Sequence, residues 1–384
     1  MSDPDLLYSD VEDDLRASVR DLLADRCEPA AVIAMYDGDR SLVDGLWKAL
    51  AAEMGLAGLL VPEERGGVGA SAREAAVVLE ELGRAVAPVP FLTSAVIASA
   101  VLLDAEGDLL AALASGERTA ALAVPLSTAP DDAIPAARAD AGGRLTGAFT
   151  SVAGALEADV LLVPAANGES VGVYAVPASA ASIRPVVSLD MTRQLADVTV
   201  DGAAGELVVA DGERAVRRAL QAGAALLASE QVGVARWCLD TTVAYLNERR
   251  QFGRVVGGFQ ALKHRLADLY TGVESANAAA RYAAVTLATG DPDASIATAV
   301  AQAFCGDLAV TAAEEAVQLH GGIGMTWEHP AHLYLKRAKA DQLALGTPGV
   351  HRARLANLID ISAPRMTAEP AGVATAVDDS HLTG

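Results

Sequence analysis

The sequence predicts an α+β protein: a helical N-terminal domain, a middle β domain and a C-terminal helical bundle. Apolar residues recur at helical spacing from about residue 5 to 120. They change to short alternating runs over about 121–210, and return to helical spacing over about 211–364. The chain is 52% hydrophobic but only 4% aromatic, so Ala, Leu and Val fill the core, a composition that suits closely packed helices. Its 384 residues suffice for two or three packed layers.

The elements follow in order. Leu6, Leu7, Val11, Leu15, Val19 and Leu22 mark a first amphipathic helix. Leu46, Trp47, Leu50 and Met54 mark another, stopped at Gly55. Pro62 to Gly69 is a turn-rich loop. Ser71 with Glu74 forms a capping-box pattern for a helix running to Gly83, and a further helix covers Ser94 to Leu103. In the middle region Leu145, Phe149 and Val152, then Val160–Val163, Val171–Val176 and Ala196–Val200, read as strands separated by Gly, Pro and Asp. Helical patterning resumes near 213 and persists to about 362. Residues 365–384, with Pro370, Gly372, Asp378 and Asp379, are expected to be a flexible tail.

The formal net charge of −21 makes nucleic acid an unlikely-sized load for so acidic a surface, and no nucleic-acid partner is expected. The three cysteines, Cys27, Cys238 and Cys305, are far apart and read as reduced core residues. The acidic N-terminus lacks an apolar signal core, and the Ala-rich runs are too short for a membrane span. A cytoplasmic protein without a membrane partner is the expectation. The histidines show no metal-ligand spacing.

Two C-terminal stretches carry chemistry. Arg249-Arg250-Gln251-Phe252-Gly253, followed by Gln260, ends a helix with a basic cluster, and a guanidinium there can bind a diphosphate bidentately. Gln318-Leu319-His320-Gly321-Gly322-Ile323-Gly324 ends another helix with bare backbone that a flat or anionic ligand can approach. Each alone also reads as an ordinary helix end. Together, and in this order, they resemble the acyl-CoA dehydrogenase family, whose pattern is R-x-x-F-G, a Gln seven or eight residues on, then Q-x-x-G-G-x-G. Val61-Pro62-Glu63-Glu64-Arg65-Gly66-Gly67 is similar to the same family's V-P-E-x-x-G-G turn.

The resemblance implies FAD as cofactor, an acyl-CoA substrate, and an electron-transfer flavoprotein as electron acceptor. The cofactor-binding residues it implies here are Arg249, Gln251, Phe252, Gln260, Gln318, Gly321, Gly322 and Thr347. Family members remove the α proton of an acyl thioester with a carboxylate while the β hydrogen leaves as hydride to the flavin. The family's Tyr-Glu-Gly-Thr tetrad aligns with Ala344-Leu345-Gly346-Thr347, so the base position is Leu345. The alternative family position, counted back from Phe252, is Gly223. Glu230, two turns further along the same helix, is a weak candidate for a relocated base, the stronger reading being a buried or interfacial helix glutamate. In the β domain the Thr-Glu-Pro and Gly-Ser-Asp segments are replaced by Leu122–Pro130. The Trp-Ile-Thr segment becomes Ser151-Val152-Ala153, with Ser151 or Thr150 as possible substitutes for the lost hydroxyl.

In family dimers the R-x-x-F-G and Q-x-x-G-G segments reach across to the other subunit's flavin, while the ring cradle and base belong to the subunit's own site. This chain keeps the first half and has lost much of the second. It is therefore expected to be one subunit of a heteromer, a heterotetramer with a homologous, catalytically complete partner. Actinobacterial heteromeric acyl-CoA dehydrogenases are similar, and Trp327-Glu328-His329-Pro330 with His332–Arg337 looks like that subgroup. Two alternatives stay open: a homomeric enzyme with a relocated base, and a flavin-poor structural or regulatory paralogue.

Overall fold

The computed structural model describes residues 5–168 and 170–361, and the expected tail over 365–384 lies outside the described residues. Helix α1 (Asp10–Arg26) starts at Ser9, which caps it together with Glu12, so Leu6 and Leu7 precede the helix rather than open it. Helices α2 (Pro29–Ala34) and α3 (Ser41–Lys48) follow. The chain after α3 widens into a π-helical turn, Ala49–Glu53, before Gly55 takes the left-handed conformation that stops it. Helix α4 (Ala72–Arg84) carries the expected Ser71–Glu74 capping box. The next apolar stretch is a π-helical segment, Phe91–Ala98, leading into α5 (Ser99–Leu102), and a short α6 (Leu109–Ala114) closes the helical region.

The middle region is one sheet of eight strands: β1 (Ala120–Leu122), β2 (Ala137–Ala139), β3 (Arg144–Ala153), β4 (Val160–Asn167), β5 (Ser170–Pro177), β6 (Ser182–Val186), β7 (Leu195–Ala204) and β8 (Glu206–Val209). Its order is β6-β7-β3-β2-β4-β5-β8, with β1 parallel to β4. Leu145, Phe149, Val163, Tyr174, Val198 and Val200 form its core. Strand β3 slips register against β7 between Phe149 and Val152, and Ser151 sits in that slip with φ 53°.

The C-terminal bundle is α7 (Gly212–Glu248), α8 (Gln260–Thr289), α9 (Ala294–His320), α10 (Ala331–Leu343) and α11 (Pro348–Leu358), with a small hairpin of β9 (Arg250–Gln251) and β10 (Arg254–Val255) after α7. Helix α7 is the spine. Its 37 residues make a rod of ~55 Å that packs against α4, α8 and α9. Trp237 of α7 stacks on Tyr334 of α10 at 3.5 Å, and the Tyr334 hydroxyl donates to the Arg84 carbonyl of α4 at 2.7 Å. Ala294–Met325, which contains α9, is long and apolar enough by composition to cross a membrane. The expectation of no such run is corrected by this segment, of whose apolar window 61% is buried within the fold.

Helices α4 and α7 touch backbone to backbone. A Cβ at Gly233 would lie 1.9 Å from the Glu80 carbonyl oxygen, and one at Gly83 would lie 2.2 Å from that of Glu230. Gly233→Ala is therefore expected to destabilise the protein by at least about 1–3 kcal/mol through overpacking. Gly45→Ala, in open space on α3, should raise stability by about 0.5–1 kcal/mol through helix propensity. Thermal unfolding of the two variants checks this; equal midpoints would mean that α4 and α7 do not sit in this close register.

Candidate functional site

The two positions that the family count assigned to a catalytic carboxylate meet in space. A Cβ built on Gly223 of α7 would lie 3.1 Å from Leu345 Cδ1 and 2.9 Å from Ile97 Cγ1. Leu345 follows α10, is 1% exposed and has φ 54°, an unfavourable conformation for a branched side chain. His351 donates from Nε2 to the Leu345 carbonyl at 2.9 Å and pins this turn. The backbone shape of a functional loop is present, but no carboxylate is on it.

Around Leu345 the walls are shut. Thr93, Ile97, Val124, Ala153 and Leu220 enclose with it a cavity of about 20 Å³, room for a water but not for an acyl thioester. A cleft of about 290 Å³ lies beyond, lined by Ser127, Ser151, Asp190, Arg193, Lys339 and Leu343. Leu126 belongs to both walls, and its carbonyl accepts from the Leu345 N–H at 2.7 Å, closing the partition. Ser151 faces the larger cleft, its N–H donating to Asp197 Oδ1 at 3.2 Å and its carbonyl accepting from Leu126 at 3.0 Å. Ala153 faces the small cavity and offers only a methyl group. The cavity at Leu345 is too small for a flavin ring, and its lining offers no carboxylate.

The second half-site lies at the far end of the bundle. Tyr245, in the last turn of α7, stacks on His320, the last residue of α9, with ring centroids 4.6 Å apart. That contact sets the Arg249 and Gly321 segments side by side. Arg249, Arg250, Gln251, Phe252, Gln260, Gln318, Gly321 and Gly322 are all exposed. Among the described residues the Arg249 side chain has no hydrogen-bond or ion-pair partner. Phe252 is 87% exposed with φ 51°. Among the described residues a Cβ at Gly322 would meet nothing within 4 Å, and of the Gly321-Gly322 pair Gly321 has the positive φ, 65°. Free guanidinium, open glycines and exposed amides suit the diphosphate and ribose part of a dinucleotide. Thr347 is not at this end: it caps α11, its hydroxyl accepting from the Val350 N–H at 3.3 Å.

Glu230 is not a free base. Both of its oxygens accept from Arg193 Nη2 at 2.6 Å, and Oε1 also accepts from Arg337. To take a substrate proton it would have to leave two guanidiniums. It belongs instead to a buried ion cluster. Arg337 Nε donates to Asp190 Oδ2 at 2.7 Å and Nη2 to Thr192 Oγ1 at 2.5 Å, while Arg193 Nη1 donates to Asp341. The cluster binds the segment before β7 to α7 and α10. Sequence reasoning missed Asp190, Arg193, Arg337 and Asp341. The one local signal was Arg337 and Asp341 at i,i+4 on α10, which also fits a solvated face.

Chains with known relatives place this architecture. The acyl-CoA dehydrogenase N-terminal domain model matches residues 9–108 and the C-terminal domain model residues 210–359. The chain belongs to the acyl-CoA dehydrogenase family. It is 36% identical to acyl-CoA dehydrogenase IpdE2 of Mycolicibacterium smegmatis over 341 residues, 89% of this chain and 96% of that one. It is similar in structure to the ChsE4–ChsE5 complex from Mycobacterium tuberculosis, with TM-score 0.83, 26% identity and coverage of 94% and 100%. It is also similar to a variant of the Tcur3481–Tcur3483 steroid ACAD, with TM-score 0.80, 28% identity and coverage of 91% and 98%.

Arg337→Met should lower the unfolding free energy by about 3–5 kcal/mol, because Asp190 stays buried without its guanidinium and Glu230 keeps only that of Arg193. Guanidinium titration measures it; a loss below about 1 kcal/mol would show that this cluster does not hold the domains together.

Proposed function

We propose that this chain is one subunit of a cytoplasmic, heteromeric, FAD-dependent acyl-CoA dehydrogenase, and that its homologous partner supplies the catalytic base. The observation that carries the reading is a distance. Gly223, at the shut base position, and Arg249, at the open end, are 26 positions apart along α7 and its cap, about 39 Å at 1.5 Å per residue. That separation supports reading the two half-sites of one chain as serving different flavins. Each has to be completed by another subunit, and only the open half here is chemically intact.

In this reading FAD supplies the hydride acceptor for α,β-dehydrogenation of the thioester. Arg249 holds its diphosphate, while Gln260 and Gln318 offer amide groups to its polar edges. Phe252 presents an apolar face, and Gly321-Gly322 let the backbone come close. The base and ring cradle come from the partner. Similarity to a structure described as a steroid ACAD, and to a two-component complex, favours a heterotetramer acting on a fatty or steroid-type acyl group, with an electron-transfer flavoprotein as acceptor. The engaged carboxylate of Glu230 argues against the homomeric alternative.

Arg249→Ala should weaken FAD binding to the co-purified complex about 10- to 100-fold, the worth of a charged phosphate contact. Gly322→Val should also strip flavin. Since no atom of the described residues beyond its chain neighbours lies within 4 Å of the added Cβ, such a loss reports a contact with ligand or partner rather than misfolding. Leu345→Glu should give no turnover in this chain alone, because the partition at Leu126 remains. Flavin absorbance per complex is the readout; full occupancy in both binding variants would remove these residues from the site.

A further inference from the structure

The cluster around Arg193 and Arg337 sets three carboxylates, Asp190, Glu230 and Asp341, against two guanidiniums. Its side chains are between 0% and 10% exposed. A buried site of low polarity does not hold a net charge without a large penalty. Two of the carboxylates are well supplied. Glu230 accepts from both guanidiniums, and Asp190 accepts from Arg337 and from the Thr192 N–H and hydroxyl. Asp341 is the odd one. Its Oδ1 accepts from Arg193, but its Oδ2 is buried with no hydrogen-bond partner. Close by, Gln231 donates from Nε2 to the Asp341 backbone carbonyl at 3.1 Å, and its own Oε1 is a second buried acceptor without a donor.

One proton on Asp341 makes the cluster neutral and places a donor where acceptors are orphaned. We propose that Asp341 is carried as the neutral acid, and that it is a proton switch in the clamp between the β domain and helices α7 and α10. Its ionisation adds a third negative charge beside Glu230 and loosens the hold of the Asp190–Arg193 segment.

The groups that face Asp341 are few. Arg193 and Asp190 come from the segment before β7, Glu230 from α7, and Arg337 from its own helix. On α9, Asp307 and Glu314 point toward α10 but are bound at the solvent edge, to Gln342 at 2.8 Å and Lys339 at 3.1 Å. Burial first, and then the Glu230 charge, push the Asp341 carboxyl up to about 7. Asp190, Arg193 and Lys339 also line the 290 Å³ cleft, so the clamp shapes that cleft.

The sign follows from linkage. The folded chain holds the Asp341 proton more tightly than the unfolded chain, where an aspartate titrates near about 3.9. The stabilisation is complete below that value, is lost as pH rises toward about 7, and is flat above. The test is denaturant unfolding of the full-length chain from pH 4 to 9, for wild type and Asp341→Asn. The ratio of their unfolding constants should climb by up to about tenfold per pH unit across the window and then level. Isotope-edited infrared spectroscopy of aspartate-labelled wild type should show a buried protonated carboxyl at pH 6 that fades above pH 8. Should Asp341→Asn not fold, the same band in Glu230→Gln decides. Relieved of one negative neighbour, Asp341 should ionise there and the band should be missing at pH 6. A flat ratio, or no protonated carboxyl in wild type at pH 6, overturns the proposal. None of these readouts depends on flavin, so they stand or fall apart from the subunit assignment.

Discussion

Five buried ionisable side chains govern how this chain is put together. Arg193 comes from the β domain, Glu230 from α7, and Arg337 and Asp341 from α10, with Asp190 completing the set. Removing either guanidinium leaves buried carboxylates short of a partner, so the set favours one arrangement of the sheet against the helices. That arrangement positions everything else. It draws Leu126 onto Leu345, separates the small cavity from the larger cleft, and holds α10 so that the base turn faces α7.

The same rigidity explains why the two half-sites have different fates. At the middle of α7, Gly223, Ile97 and Leu345 pack into one apolar contact, and the strained backbone at Leu345 is kept although no carboxylate uses it. At the end of α7, Arg249 and the Gly321-Gly322 turn stay exposed, with no structural partner for the guanidinium among the described residues. An exposed guanidinium, a largely exposed Phe252 and bare glycines contribute little to the stability of this chain alone. They make sense as a surface that another subunit's ligand completes.

Much of this was legible in the sequence, and what was not has physical reasons. The Ser71–Glu74 cap and the alternating strands β4 and β5 are local patterns, readable from a few residues. The two glycine-bounded motifs were readable because each is a run of adjacent residues, and it was their order and combination, not either helix end alone, that carried the resemblance. Strands β1 and β2 were missed, being three-residue, Ala-rich segments whose strand character comes from pairing with β4. Glu230 is the buried helix glutamate that its setting suggested, but its partners were not readable, for a related reason. Helical spacing gives the face a residue occupies, but its partners Arg193 and Arg337 lie 37 and 107 positions away. Counting also produced Gly223 and Leu345 as separate base positions. Only the fold shows that they are one place, and that this place is apolar.

The central claim is that this chain lends a half-site and lacks its own. It is tested most directly by counting flavins on intact assemblies. Native mass spectrometry with flavin absorbance should be applied to the chain alone, and to the chain co-expressed with a homologous subunit that carries the missing carboxylate. The account predicts little flavin on the chain alone, and one FAD for each pair of unlike subunits in an active complex. One FAD per chain in a pure homo-oligomer with dehydrogenase turnover would contradict it.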